Sequence, residues 1–179
     1  MNKFHKRIFE RNDNRELYIY GRTEHTEKHT QELDITLPSS PHLRWNPSRQ
    51  EWVTYSSGRE KRTSFPPKKY CPFCPGSDLN FPTEIPFNNF EVAVFPNRWS
   101  SFNTHNNNYD INDIKTKPSN GHCEIVVYSD VHDDTIAEMS LDRIQLLVET
   151  WNDRYTELLS KDNVAYAVSY THLTLPTKA

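Results

Sequence analysis

The sequence is poor in glycine, cysteine and long apolar runs. Glycine occurs 4 times and cysteine 3 times in 179 residues. So few cysteines cannot form the dense disulfide framework of a small secreted domain. No stretch approaches the roughly 18 apolar residues of a membrane-spanning helix, and the first residues lack the apolar run of a signal peptide. These absences predict a cytoplasmic protein without a membrane partner.

An excess of positive charge is also missing. The formal net charge is -3 at pH 7 and the isoelectric point is about 6.2, which argues against nucleic acid as a main partner. Hydrophobic residues make up 35% of the chain, below the usual ~45–50%. Aromatic residues reach 12% and partly compensate, because each ring buries a large area. The chain can bury a core, but a modest one.

Alternating polar and apolar residues predict four strands. They lie at 15–21 (RELYIYG), 51–57 (EWVTYSS), 90–96 (FEVAVFP) and 122–129 (HCEIVVYS). A further strand is expected to begin in 163–168 (NVAYAV). The asparagine-rich stretch 103–120 has no periodicity and is expected to be a mobile loop.

A long helix is predicted after Ser140, which is a favourable N-cap residue. Asp142 lies in its first turn, where a negative charge suits the helix dipole. Apolar residues then recur at helical spacing and predict one packed stripe: Leu141, Ile144, Val148, Trp151, Tyr155 and Leu158. The order of elements predicts an α+β fold with a mostly antiparallel sheet and one long packed helix.

Cys71 and Cys74 form a Cys-Pro-Phe-Cys motif followed by Pro75-Gly76. Two cysteines at this spacing can place both sulfurs on one tetrahedral zinc ion. A thioredoxin-like redox pair has the same spacing, but Pro75-Gly76 disfavours the helix that such a pair needs. Two buried thiols without a ligand are a third interpretation. His132 follows the strand at 122–129 and could be a further ligand, although its spacing alone is typical of an ordinary exposed loop histidine.

The segment GREKRTSFPPKK is basic. Its positive residues stand against one acid, Glu60, and are Arg59, Lys61, Arg62, Lys68 and Lys69. Arginine forks bind phosphate oxygens in pairs, so such a cluster can attract an anion. A solvated basic loop is the alternative interpretation.

Several blocks together resemble a known family. They are RWNPSRQEWVTYSSGREKR, YCPFCPGS, FEVAVFPNRWSSF, GHCEIVVYSDVHDDTIAEMS and LVETWNDRYTEL. They resemble the N-terminal half of a galactose-1-phosphate uridylyltransferase, a nucleotidylyltransferase of the histidine-triad superfamily. The resemblance covers residues 38–168. It leaves residues 1–37 as an N-terminal extension with a short strand.

The resemblance implies an activity and a set of roles. A family member transfers a uridylyl group between UDP-glucose and galactose 1-phosphate through a histidine intermediate, as a homodimer whose active sites use both chains. Cys71, Cys74 and His132 match family zinc ligands. Arg59 and Arg62 match arginines that contact the nucleotide's phosphates from the neighbouring subunit. Asn97 matches an asparagine of the nucleotide site.

The fourth zinc ligand and the nucleophile of the family lie in a His-Pro-His-Gly-Gln segment after a FENKG sequence. Neither is found here, because residues 169–179 (SYTHLTLPTKA) have no counterpart in the family. We interpret this tail as non-native and the family domain as truncated, with no catalytic residue present. His172 lies near the expected position but is assigned no role.

Two other functions stay open at this stage. Arg98 stands where some members of the family have an acidic residue, and some relatives with a PNRWSS-like segment transfer an adenylyl group. An adenylyltransferase acting on ADP-glucose or a related sugar nucleotide is therefore one alternative. A non-catalytic binding module held together by zinc is another.

Overall fold

The computed structural model describes residues 4–28, 41–57, 67–76, 83–104, 111 and 113–170. These residues form two antiparallel sheets and one long helix, which confirms the predicted α+β class. The strands are β1 (His5–Glu10), β2 (Glu16–Gly21), β3 (His42–Asn46), β4 (Glu51–Tyr55), β5 (Val92–Pro96), β6 (Thr116–Pro118) and β7 (Glu124–Val127). The helix α1 spans Leu141–Leu159. None of the described helices has the length and apolarity that crossing a membrane requires.

The large sheet has the strand order β1-β2-β5-β7, with every neighbouring pair antiparallel. Successive side chains of a strand point to opposite faces, so the central strands β2 and β5 build two cores. One core joins β2 and β5 to the loop before β5, through Leu17, Ile19, Ile85, Phe87, Phe90, Ala93 and Phe95. The other joins them to α1, through Tyr18, Tyr20, Val92, Val94, Leu146 and Leu147.

The small sheet has the order β4-β3-β6. Its residues are only partly buried, and Trp52 and Tyr55 are 37% and 44% exposed. The expected loop at 103–120 is wrong at Thr116–Pro118, because these residues pair with β3 as β6. Three residues are too few to show a periodic pattern, and their partner lies some seventy positions earlier. Residues 105–110 and 112 lie outside the described residues.

The four predicted strands are confirmed as β2, β4, β5 and β7. Three of the observed strands, β1, β3 and β6, were not predicted. The strand expected in 163–168 is wrong, since this stretch has no strand assignment and Tyr166 is 82% exposed. A strand needs a neighbour for its backbone hydrogen bonds, and among the described residues this stretch pairs with none.

The helix begins where it was predicted to begin. Ser140 accepts a hydrogen bond from the backbone amide of Arg143 at 3.4 Å, and Asp142 lies in the first turn. The predicted stripe is wrong in part, because Leu141 is 84% exposed and Val148 is also exposed. The residues of α1 that are buried are Leu146, Leu147, Thr150 and Arg154.

Arg154 explains why the buried face is displaced. It donates two hydrogen bonds to Glu124 of β7, at 2.7 and 2.9 Å, and its guanidinium lies 4.0 Å from the ring centre of Tyr18. A hydropathy pattern assigns an arginine to solvent, although paired arginines can be buried. The packed face therefore includes a charge that the apolar spacing could not reveal.

Candidate functional site

The structure brings Cys71, Cys74 and His132 together. One donor atom from each lies within 4.8 Å of the others. The shortest approach joins Cys74 Sγ to His132 Nδ1 at 3.1 Å. All three residues are partly buried. His132 lies 58 positions after Cys74 in the sequence, so folding brings the histidine to the two cysteines.

The cysteine loop, residues 71–76, is held against the end of β5. The 3-10 turn Lys68–Tyr70 precedes it, and the Cys71 amide donates to the Lys68 carbonyl at 3.2 Å. Phe73, between the cysteines, packs with its ring centre 6.1 Å from that of Phe95. The aromatic residue in the motif thus anchors the loop to the core.

Residues 83–85 support the loop from its other side. The Glu84 amide donates to the Pro72 carbonyl at 2.7 Å, and the Gly76 amide donates to the Ile85 carbonyl at 3.2 Å. A Cβ atom on Gly76 would lie 2.6 Å from the Thr83 methyl carbon, so glycine permits this close approach. Pro75 pairs with Ile85 in an isolated bridge. Pro75 and Gly76, the two described residues after Cys74, are not helical, whereas a redox pair expects a helix to start at its second cysteine.

A turn after β7 positions His132. The Ser129 hydroxyl donates to the Asp134 carboxylate at 2.6 Å and accepts from the Val131 amide at 3.1 Å. Arg143, in the first turns of α1, donates to the same carboxylate at 3.2 Å and to the Tyr128 carbonyl at 3.1 Å. The start of the helix therefore fixes the turn that carries the histidine.

The donor set of this group fits zinc. Thiolate and imidazole are the usual ligands, and tetrahedral Zn–S and Zn–N distances place such donors about 3.5–3.8 Å apart. The three donors lie within 4.8 Å of one another, and the 3.1 Å between Cys74 Sγ and His132 Nδ1 is somewhat shorter than that spacing. Burial raises the pKa of Cys74 to about 11, and the hydrogen bond and charge of Cys71 act in the same direction. Metal binding must overcome this protonation, because the thiolate is the ligand.

Asn97 follows β5 directly and is partly exposed. Its amide donates to the Cys123 carbonyl at 2.7 Å, and its side-chain oxygen accepts from the Trp99 amide at 2.9 Å. Its Nδ2 lies 3.7 Å from the Cys123 sulfur. The guanidinium of Arg98 lies 5.0 Å from the Trp99 ring centre, while Arg98 Nε is buried without a hydrogen-bond partner.

The two residues that are predicted to contact phosphate, Arg59 and Arg62, lie outside the described residues, as does His172. Lys68 and Lys69 are described and exposed, next to the cysteine loop. The structure adds three supporting residues that the sequence did not reveal: Glu84, Asp134 and Arg143. All three are charged residues, which a sequence pattern normally assigns to the surface, and none belongs to a recognisable local motif.

A cavity of about 560 Å³ borders the turn after β7, because Arg143 is among its lining residues. Gly21, Glu91 and Asp130 are among its lining residues, whereas Cys71, Cys74, Asn97 and His132 are not. Shape alone would select this cavity. The convergent chemistry of the Cys-His group makes that group the stronger candidate.

Comparisons with known proteins agree on one family. The family model described as galactose-1-phosphate uridyl transferase, N-terminal domain, matches residues 21–169. A galactose-1-phosphate uridylyltransferase of Thermotoga maritima is 35% identical over 127 residues, covering 69% of this chain and 38% of that protein. One of Streptomyces lividans is 28% identical over 152 residues, covering 82% of this chain and 37% of that protein.

Solved structures support the fold. A uridylyltransferase mutant superposes with a TM-score of 0.52 at 22% identity, over 70% of this chain and 36% of its own. Another uridylyltransferase superposes with a TM-score of 0.51 at 20% sequence identity, and the match covers 70% of this chain and 37% of that one. The chain spans less than two fifths of the length of these relatives. With most of its length matched by the family model, the chain belongs to the galactose-1-phosphate uridyl transferase family, in the region of the family's N-terminal domain.

Proposed function

We propose that the chain is the metal-binding and phosphate-binding region of an enzyme that transfers a uridylyl group between UDP-glucose and galactose 1-phosphate. The observation that carries the proposal is the convergence of Cys71, Cys74 and His132 within the part of the chain that matches the family. The chain covers 38% of the Thermotoga relative's length, so the activity is proposed for the whole enzyme.

In the proposed reaction a histidine attacks the α-phosphorus of UDP-glucose, and glucose 1-phosphate leaves. The uridylyl-histidine then transfers its uridylyl group to galactose 1-phosphate. Covalent catalysis of this kind divides one difficult transfer into two easier ones and gives ping-pong kinetics. The nucleophile belongs to the His-Pro-His-Gly-Gln segment, which has no counterpart in this sequence.

The residues of this chain have supporting roles in the proposal. Cys71, Cys74 and His132 hold zinc, which supplies a structural link between the cysteine loop and the turn after β7. Arg59 and Arg62 bind the phosphates of the sugar nucleotide. Asn97 contacts the nucleotide from the end of β5, where its backbone amide is already fixed by Cys123.

Binding of sugar nucleotides tests this proposal. We expect calorimetric titration of the zinc-loaded whole enzyme to show tighter binding of UDP-glucose than of ADP-glucose. Each charge-assisted contact contributes about 1.5–3 kcal/mol, so Arg59→Ala or Arg62→Ala should weaken UDP-glucose binding roughly ten- to a hundred-fold. Arg49→Ala is the matched control, because Arg49 is an exposed arginine of the β3–β4 turn paired with Glu51.

The other outcomes of this titration favour the alternatives. Equal or tighter binding of ADP-glucose would support adenylyl transfer in place of uridylyl transfer. A folded, zinc-loaded whole enzyme that binds neither sugar nucleotide would support the non-catalytic module. Equal losses in Arg49→Ala and the two test variants would remove Arg59 and Arg62 from the phosphate site.

We also propose that the whole enzyme is a homodimer in the cytoplasm. The β3–β4 hairpin leads into the segment with Arg59 and Arg62, which the proposal assigns to the partner's active site. Trp52 and Tyr55 of this hairpin are exposed, which supports contact with a second subunit, because aromatic residues are enriched at interfaces. Sedimentation velocity of the whole enzyme should show a dimer, and a monomer that remains active would exclude the shared site.

A further inference from the structure

A buried group of charges lies behind the cysteine loop. Arg11 and Arg15, on either side of the β1–β2 turn, both donate to the Glu84 carboxylate, at 2.7 and 2.9 Å. Asp13 in the same turn pairs with Arg15 at 2.7 Å. All four side chains are at most 7% exposed. Two positive and two negative charges balance, so the group is neutral as a whole.

Glu84 connects this group to the metal loop. Its backbone amide donates to Pro72, between the two cysteines, and its neighbour Ile85 accepts from Gly76 at the loop's end. Arg11 also donates to the Glu84 backbone carbonyl at 3.0 Å. The side chain and the backbone of Glu84 are thus both held by the arginines, and the backbone in turn holds the loop.

The same group reaches the other part of the site. Arg15 donates to the Pro96 carbonyl at 2.9 Å, directly before Asn97. The β1–β2 turn therefore contacts both the segment that supports the cysteines and the strand end that carries Asn97. Arg11, Asp13 and Arg15 precede residue 21, where the match to the family model begins.

From these contacts we propose that Glu84 is a positioning residue for the metal site. Neutralised by Arg11 and Arg15, it fixes residues 83–85 and thereby the positions of the Cys71 and Cys74 sulfurs. This inference rests on the zinc site of the proposed function and extends it to residues that do not contact the metal. Groups that orient metal ligands typically change metal affinity 10- to 100-fold when they are replaced.

The test titrates the chain with Co²⁺, whose absorption bands report both affinity and ligand geometry. We expect Glu84→Gln to weaken Co²⁺ binding by about ten-fold or more and to alter the visible bands. Glu84→Asp keeps the charge but shortens the side chain, so its Co²⁺ affinity should lie between those of Glu84→Gln and the parent. Glu124→Gln is the matched control, because Glu124 pairs with buried Arg154 of α1 rather than with a residue of the cysteine loop. The Co²⁺ affinity of this variant should stay within about two-fold of the parent.

Circular dichroism of each sample measures the folded fraction. If Glu84→Gln does not fold, the Co²⁺ affinity of Glu84→Asp tests the inference instead. Parent-like affinity and bands in the folded Glu84 variants would overturn the inference. An equal loss in Glu124→Gln would also overturn it, because the effect would then be general destabilisation. Failure of the parent chain to bind Co²⁺ through thiolates would instead refute the zinc site of the proposed function.

Discussion

Cys74 contacts both other candidate ligands. Its sulfur lies 3.1 Å from His132 Nδ1 and is hydrogen-bonded to Cys71. Cys123, the third cysteine, lies at the start of β7 near Asn97 instead. The two environments give the cysteines different expected roles. Cys71 and Cys74 each have a second sulfur and an imidazole close enough to share a metal ion, whereas Cys123 is not part of this group.

Replacing Cys74 therefore tests the metal site at the residue scale. We expect Cys74→Ser to lower Co²⁺ affinity by roughly 100-fold or more and to reduce the thiolate charge-transfer absorption, because a hydroxyl is a poor ligand at neutral pH. Cys123→Ser should leave both quantities unchanged. Equal affinities for the two serine variants would exclude Cys74 as a ligand.

The pH dependence of Co²⁺ binding follows from the same residue. Burial raises the pKa of Cys74 to about 11 in the metal-free chain, so binding at neutral pH must release a proton. Co²⁺ affinity should rise as pH increases from 6 to 8, and the proton release should be smaller in Cys74→Ser. A pH-independent affinity would contradict binding through this thiol.

The candidate ligands could be predicted from the sequence to different degrees. Cys71 and Cys74 are neighbours in a spacing that is itself typical of metal sites. His132 was an ordinary loop histidine by its spacing, and only the family resemblance selected it. Glu84 could not be found, because its importance depends on two arginines that reach it from a turn some seventy residues away.

At the scale of the elements, local sequence patterns predicted those strands and helix ends that depend on a single segment of the chain. The alternation of 15–21 and 90–96 identified β2 and β5, and Ser140 marked the start of α1. The buried face of α1 could not be predicted in the same way. It depends on Tyr18 and Tyr20 of β2, against which Leu146 and Leu147 pack.

The displaced face of α1 gives a prediction about stability. Leu147 is 1% exposed and Leu141 is 84% exposed. Leu147→Ala should lower the free energy of unfolding by about 2–5 kcal/mol, since it removes buried methyl groups and leaves a cavity. Leu141→Ala should change it by no more than about 0.5 kcal/mol. Urea denaturation followed by circular dichroism measures both values.

A large loss in Leu141→Ala would mean that the originally predicted stripe is covered by another surface. Leu141 lies at the exposed start of the helix, so the substitution removes little packing within the chain. A small loss in Leu147→Ala would contradict the arrangement of α1 on the large sheet. The two leucines thus serve as each other's matched control.

For the whole molecule, the two sheets differ in how much apolar surface supports them. The large sheet has a core on each face, built around β2 and β5. The small sheet has none, because every residue of β3, β4 and β6 is partly or fully exposed. The sequence identified β4 as a strand but could not show this difference, which arises from the order in which distant strands pair.

Backbone amide exchange should reveal that difference. Opening free energies vary across a fold and are lowest where few apolar contacts are lost. We expect the hydrogen-bonded amides of β3 and β4 to exchange with deuterium at least about 100-fold faster than those of β2 and β5, equivalent to roughly 2.8 kcal/mol. The measurement is made by nuclear magnetic resonance at two protein concentrations that differ ten-fold.

Protection of β3 and β4 that rises with concentration would support a second subunit on the small sheet, since association stabilises what it covers. Equal protection of the two sheets at the lower concentration would refute the view that stability is concentrated in the large sheet.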